Sequence, residues 1–123
     1  MFSANLSTRE SDGQVVVTLR GELDVLDAAS LAAALAEVAA REPVIIVDLA
    51  GLEFIDSSGA AALVLVRKQA RHARGDLLLA APQAQVMRFL TVTRLIDAFS
   101  VHASVEHAAD SAGRARRVTV PVL

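Results

Sequence analysis

PVIIVDLAGLEFIDSSGAAALVLVR, residues 43–67, decides the fold. Val44 to Val47 is an unbroken β-branched run, closed by Asp48 and Leu49 and preceded by Pro43. A short apolar run bounded in this way reads as a buried strand, placed at 44–49. Ala50 to Ile55 reads as a loop, with Gly51 allowing a turn. Asp56, Ser57, Ser58 and Gly59 come next, and then the apolar run Ala60–Val66. Its composition is that of a buried helix, placed at 57–73. Asp and Ser at its start are helix-capping types, because their side-chain oxygens accept from the free N–H groups of the first turn. Two hydroxyls and a carboxylate are therefore expected at a strand-to-helix corner, where open α/β sheets collect ligands and chemistry.

Outward from this unit the chain continues the same alternation. Phe2, Ala4 and Leu6 alternate with Ser3, Asn5 and Ser7, giving a strand over 2–8. Glu10-Ser11-Asp12-Gly13 is a turn signal, and QVVVTLR, residues 14–20, is the second strand of the hairpin. Gly21-Glu22-Leu23-Asp24 closes it, and Asp24 is placed to cap a helix over 25–40. That helix has Leu31, Leu35 and Val38 at helical spacing, with Ala28 and Ala32 on the same face. After the central unit, Gly75 is placed to end the second helix. Asp76–Ala81 is a strand. Pro82 opens a short helix over 83–91 with Val86, Phe89 and Leu90 inward. A strand over 99–102 follows, and Ser104 caps a last helix over 105–113. The order β-β-α-β-α-β-α-β-α means a mixed sheet with amphipathic helices packed on it. The tail 114–123 carries Arg114, Arg116 and Arg117 and then VTVPVL. Both a loose end and an added edge strand are open readings for it.

Composition narrows the functional classes. At 123 residues the chain is one domain with room for a core. Its longest apolar stretch, Ala60–Val66, is far short of the ~18 residues of a membrane span. The first residues, MFSANLSTRE, lack the basic start and apolar centre of a signal peptide. The absence of Cys excludes disulfides, thiolate chemistry and zinc–thiolate clusters. A cytoplasmic location is expected. A net charge of -2 and an aromatic content of 3% argue against a nucleic-acid partner, which needs a basic face or base-stacking rings.

The residues at the corner admit three readings. Ser57 and Ser58 are simple helix caps, or a hydroxyl there is a phosphorylation site, since a helix N-terminus favours a phosphate group. An acyl-transfer nucleophile is the third. It lacks the glycine two residues before the serine that a nucleophile elbow needs: Asp56 stands there for Ser58 and Ile55 for Ser57. The histidines, His72, His102 and His107, show no metal-ligand spacing, and a surface or capping role is expected for His102 and His107. Arg67, Lys68, Arg71, His72 and Arg74 read as a solvated basic face that suits a helix C-terminus, with a docking surface as the lesser alternative. No glycine-rich phosphate loop is present, so nucleotide binding and hydrolysis by that route is not expected, and no metal and no cofactor is expected.

GELDVLDAASL, IIVDLAGLEFIDSSGAAALV and FSVHASVEHAA resemble the STAS domain, and within it the bacterial anti-anti-sigma factors, also termed anti-sigma factor antagonists. The resemblance covers roughly residues 5–112, with the domain over 1–113 and the tail beyond it. It implies a small mixed sheet with amphipathic helices. It also implies that Ser58 is phosphorylated, that Asp56, Ser57 and Gly59 flank it in the partner-binding surface, and that Asp24 lines the same surface. The implied partner is an anti-sigma factor that is itself a serine kinase. The unphosphorylated protein would bind it and release the sigma factor. Phosphorylation would reverse this and a serine phosphatase would reset it, with the protein a monomer or weak dimer and not an enzyme. The alternative is a scaffold subunit of a stress-signalling or lipid-transport complex in which Ser58 only caps its helix. The family often carries Gly-Leu after the third helix, where Arg94-Leu95 stands here.

Overall fold

The computed structural model describes residues 2–8 and 14–118, and side-chain surroundings over 14–112. Strands β1 (Phe2–Thr8) and β2 (Gln14–Leu23) are followed by α1 (Val25–Arg41), β3 (Val44–Ile55), α2 (Ser57–His72), β4 (Asp76–Ala80), α3 (Ala84–Val92), β5 (Ser100–His102) and α4 (Val105–Val118). The five strands lie in one sheet in chain order, β1-β2-β3-β4-β5. β1 runs antiparallel to β2, and the remaining neighbours are parallel. This is the mixed sheet expected from the alternation of elements. The turn expected at 10–13 lies outside the described residues.

The sheet is covered on both faces, which explains why its central strands are apolar without alternation. Val15, Val17, Leu19, Ile45, Val47, Leu49, Leu77 and Leu79 point to one face. There they meet Leu31, Leu35 and Val38 of α1, Leu63 and Val66 of α2, and Val86 and Leu90 of α3. The other face carries Val16, Val44, Ile46, Leu78 and Ala80, covered by Ala108 and Ala112 of α4. Small residues on α4 let its backbone lie close to the sheet. The buried Gln14 amide fastens the layer by donating to the Ala109 carbonyl (3.0 Å).

Several boundaries differ from the sequence reading. Residues 50–55 are not a loop but the second half of β3, and β2 runs on to Leu23. The pairing shifts between Thr18 and Arg20 and again between Gly21 and Glu22, so that Arg20 faces Gly51, Glu22 faces Phe54 and Leu23 faces Ile55. Each shift inserts one extra residue into β3. The buried positions therefore fall at Leu49, Leu52 and Ile55, a spacing of three that hides a strand whose ordinary period is two. A turn of 3-10 helix at Leu95–Ala98 precedes β5 and was not signalled.

α2 ends at His72, and its left-handed residue is Arg74 (φ 69) rather than Gly75. The Gly75 N–H donates to the Ala70 carbonyl (2.7 Å) and the Arg74 N–H to Arg71 (3.0 Å), a Schellman closure. Gly75 is required for another reason: a Cβ there would lie 1.8 Å from the Pro43 carbonyl oxygen. Arg67 also departs from the expected solvated face. Its Nε donates to Asp76 (2.9 Å) and its Nη1 to the Ala98 carbonyl (2.7 Å), tying α2 to β4 and to the 3-10 turn. Arg71 adds a second ion pair to Asp76 (3.5 Å). Finally, α4 does not stop at Gly113 but continues to Val118, so 114–118 are helix and neither a loose end nor an edge strand. Residues 119–123 lie outside the described residues.

Arg94, after the third helix, is left-handed (φ 63) and exposed. A side chain in that region costs roughly 1–2 kcal/mol relative to a right-handed conformation. Arg94→Gly is expected to raise the unfolding free energy by about 0.5–1 kcal/mol, part of the relief being offset by glycine's greater freedom in the unfolded chain. Urea unfolding of the two proteins measures it, and an unchanged or lower midpoint contradicts it.

Candidate functional site

The corner between β3 and α2 is built around Asp56. Its backbone is extended (φ -105, ψ -177), and its Oδ1 accepts from the Gly59 N–H (2.9 Å), so Asp56 is the N-cap of α2. The two serines therefore do not cap. Ser57 and Ser58 are the first and second residues of the helix, Ser57 exposed and Ser58 half-buried. At those positions the free N–H groups and the positive end of the helix dipole face outward beside the hydroxyls.

The other Asp56 oxygen reaches a different element. Oδ2 accepts from the N–H of Val25, the first residue of α1 (3.1 Å). The Asp56 N–H in turn donates to the Leu23 carbonyl at the end of β2 (3.1 Å). One residue thus joins two helix starts and a strand end. Asp24 caps α1 with its own Oδ1, accepting from the Leu26 N–H (3.0 Å). The structure accordingly brings Asp24, Asp56, Ser57, Ser58 and Gly59 together, as expected of a single site, although residues 24 and 56 are separated by a whole helix and strand.

Gly59 is buried in this corner. A Cβ on it would lie 2.9 Å from the Leu23 carbonyl oxygen and 2.8 Å from Leu23 Cγ. The glycine lets the first turn of α2 close onto the end of β2, which holds the Ser58 side of the turn against the Asp24 corner.

Sequence reasoning missed the apolar part of the site. Val25 and Leu26 are 64% and 85% exposed, immediately beside the two carboxylates. Leu26 falls off the Leu31–Leu35–Val38 stripe, and that was the available signal. On the other side, Phe54 is 49% exposed. It lines an apolar cleft of about 350 Å³ with Ile55, Val86, Phe89 and Val92. The corner therefore offers hydroxyls and carboxylates flanked by exposed apolar side chains, a composition suited to a protein partner. Among the described residues no group of three or more His, Cys, Asp or Glu side chains is arranged to hold a metal ion, and no helix is long and apolar enough to cross a membrane.

Comparison with known proteins places the chain in a family. The family model described as "STAS domain" matches residues 5–108. A protein of Bordetella bronchiseptica named for a proposed role as an anti-sigma factor antagonist, BtrV, is 31% identical over 105 residues, covering 85% of this chain and 90% of its own. Among solved structures, an anti-sigma factor antagonist from Mycobacterium paratuberculosis superposes with a TM-score of 0.81 at 23% identity, covering 92% of this chain and 95% of that one. The anti-sigma factor antagonist SpoIIAA in its unphosphorylated form gives 0.75 at 23% identity, over 96% of this chain and 100% of that one.

Removing the Asp56 carboxylate deprives two helix starts of an acceptor, whereas removing that of Asp24 affects one. With about 1 kcal/mol for each capping bond, Asp56→Ala is expected to lower stability by about 2 kcal/mol and Asp24→Ala by about 1 kcal/mol. Chemical unfolding of both variants checks the order, and a smaller loss for Asp56→Ala contradicts the bridging role.

Proposed function

The chain belongs to the STAS domain family, among its anti-sigma factor antagonists, and on that footing we propose that it is a phosphorylation-switched binding module whose partner is an anti-sigma factor with serine kinase activity. The unphosphorylated form binds that partner and so frees a sigma factor. Phosphorylation of Ser58 ends the binding, and a serine phosphatase restores it. The observation that carries this reading is the position of Ser58, a half-buried hydroxyl on the first turn of α2 beside Asp24 and Asp56. The partner-binding surface comprises Asp24, Asp56, Ser57, Ser58 and Gly59, with Val25 and Leu26 as its apolar anchors.

Each residue has a distinct part. Ser58 is the acceptor of the phosphoryl group, and Ser57 is its exposed neighbour. The ATP, the Mg²⁺ and the base come from the kinase, because phosphoryl transfer depends on groups that hold the metal and position the nucleophile. Asp56 and Gly59 fix the turn that presents the hydroxyl. Asp24 spends one carboxylate oxygen on the Leu26 N–H and offers the rest of its charge to the partner.

The effect of the phosphate follows from charge. It adds about -1.5 to -2 at neutral pH next to two carboxylates. Within the protein the helix N-terminus offsets part of the repulsion, by roughly 0.3–1 kcal/mol at an exposed site. A partner surface shaped for a neutral hydroxyl has no such compensation. A loss of ~4 kcal/mol there weakens binding about a thousandfold, while the core formed by Leu63 and Val66 on the inner face of α2 is untouched.

With the partner kinase and ATP, phosphopeptide mapping is expected to find label on Ser58 alone. Label on Ser57, or label that persists in Ser58→Ala, contradicts the assignment. Ser58→Ala is expected to retain partner affinity and Ser58→Asp to lose at least about tenfold, with nearly unchanged amide spectra of the free proteins. Equal affinities sink the charge argument, and shifts spreading into β1 and β2 would place the switch in the fold. Asp24→Ala is expected to weaken binding beyond its effect on stability, read by calorimetry alongside a melt.

A further inference from the structure

A second cluster of chemistry-bearing side chains lies at the edge of the sheet, where β5 meets α4. His102 is the last residue of β5 and His107 sits on the first turn of α4. Their Nδ1 atoms are 3.2 Å apart. The rings meet by their edges rather than their faces, with centroids 5.3 Å apart and planes inclined at 49°. Ser100, two residues before His102 and on the same face of the strand, places its Oγ 2.9 Å from His102 Nε2. When that hydroxyl accepts from Nε2–H, the His102 Nδ1 carries a lone pair directed at His107.

Both backbones are held independently of the rings. The His102 strand position is fixed by pairing with Ala80 and by the Ala81 N–H, which donates to the His102 carbonyl (2.9 Å). The start of α4 is fixed by Ser104, whose Oγ accepts from the His107 N–H (3.0 Å). The short link between strand and helix thus sets two imidazole nitrogens at a defined separation. Two nitrogens bound to one ion at 2.0–2.1 Å stand about 3.3 Å apart in a tetrahedral arrangement and about 2.9 Å apart at a right angle. The observed separation falls between these values.

We propose that His102 and His107 form a two-imidazole site for a borderline divalent metal ion of the Zn²⁺ class, with Ser100 orienting His102. Imidazole suits Zn²⁺, Ni²⁺ and Cu²⁺ over the hard ions Mg²⁺ and Ca²⁺. The ion displaces the single proton shared by the two Nδ1 atoms and lies off the line joining them, 2.0–2.1 Å from each, and that proton moves to Nε2 of the exposed His107. Water fills the remaining positions, since no third His, Cys, Asp or Glu completes a set among the described residues. The Ser100 hydroxyl plays the part of the outer partner that fixes the tautomer of a ligating histidine.

The test uses the full chain and ZnCl₂ alone, in a non-chelating buffer near neutral pH. Calorimetry is expected to show one equivalent bound, and histidine ¹⁵N spectra to show the Nδ1 resonances of His102 and His107 moving together. His102→Gln and His107→Gln are each expected to weaken binding at least about tenfold by removing one of two ligands. Ser100→Ala is expected to weaken it by about tenfold through loss of orientation. His72→Gln, at the exposed end of α2, is expected to change nothing. Circular dichroism of the variants separates a lost ligand from a lost fold. No uptake of Zn²⁺ by the native chain overturns the proposal. So does binding that survives both the His102 and His107 substitutions, or a loss in His72→Gln as large as theirs.

Discussion

A single carboxylate connects the elements on which the site depends. Asp56 accepts from Gly59 at the start of α2 and from Val25 at the start of α1, and its own N–H is given to Leu23 at the end of β2. Each helix start has N–H groups without an intrahelical acceptor. A residue with two acceptor oxygens satisfies one donor on each helix only if the two starts lie side by side. The parallel pairing of β2 and β3 supplies this, because it brings Leu23 opposite Ile55 and leaves both chains to turn into helices at the same level. The shared cap then fixes the relative position of the helices, and with it the surface that carries Asp24, Ser57 and Ser58.

The close approach at Gly59 is the complement of that bridge. The corner is tight enough that even a methyl group would meet the Leu23 carbonyl oxygen. The extra residues of β3 serve the same end. They carry the strand four pairs beyond its regular ladder, past Leu49 to Leu52 and Ile55, and aim its last residue at the first turn of α2. Bulges next to functional corners commonly re-aim a strand end in this way. Here they also leave Phe54 exposed beside the corner.

This arrangement separates stability from recognition. The core residues of α1 and α2 face the sheet, while Val25, Leu26 and the serines lie on the outer edge of the first turns. In the proposed switch, a negative group added at Ser58 meets the positive end of a helix on the protein's side and a partner without compensation on the other. A binding surface can then be switched without loss of the fold that presents it. The edge of the sheet at β5 and α4 is built on the opposite logic: two imidazoles are pinned by a strand pairing and a helix cap, and their separation is part of the scaffold.

The sequence by itself determined the order of the elements, the buried stripe of α1, the apolar central strands and the residue types at the corner. These follow from local periodicity and from capping chemistry, which act over a few residues. The motif resemblance singled out Ser58, Asp24, Asp56, Ser57 and Gly59 before any coordinates. Only the tertiary structure decided what each does in the corner. That Asp56 rather than a serine caps α2 is a choice among neighbours made by a bond across three residues, and that it also caps α1 depends on a contact across 31 residues. The second half of β3 was illegible because its bulges replace a spacing of two by a spacing of three, and the ladder that makes it a strand belongs to β2. Arg67 looked solvated because its acceptors, Asp76 and the Ala98 carbonyl, lie on other elements. His102 and His107 showed no ligand pattern along the chain, since their meeting depends on how α4 folds back over the second face of the sheet. Periodicity reports which face a residue takes, whereas the partner it finds there is set by the packing of elements distant in sequence.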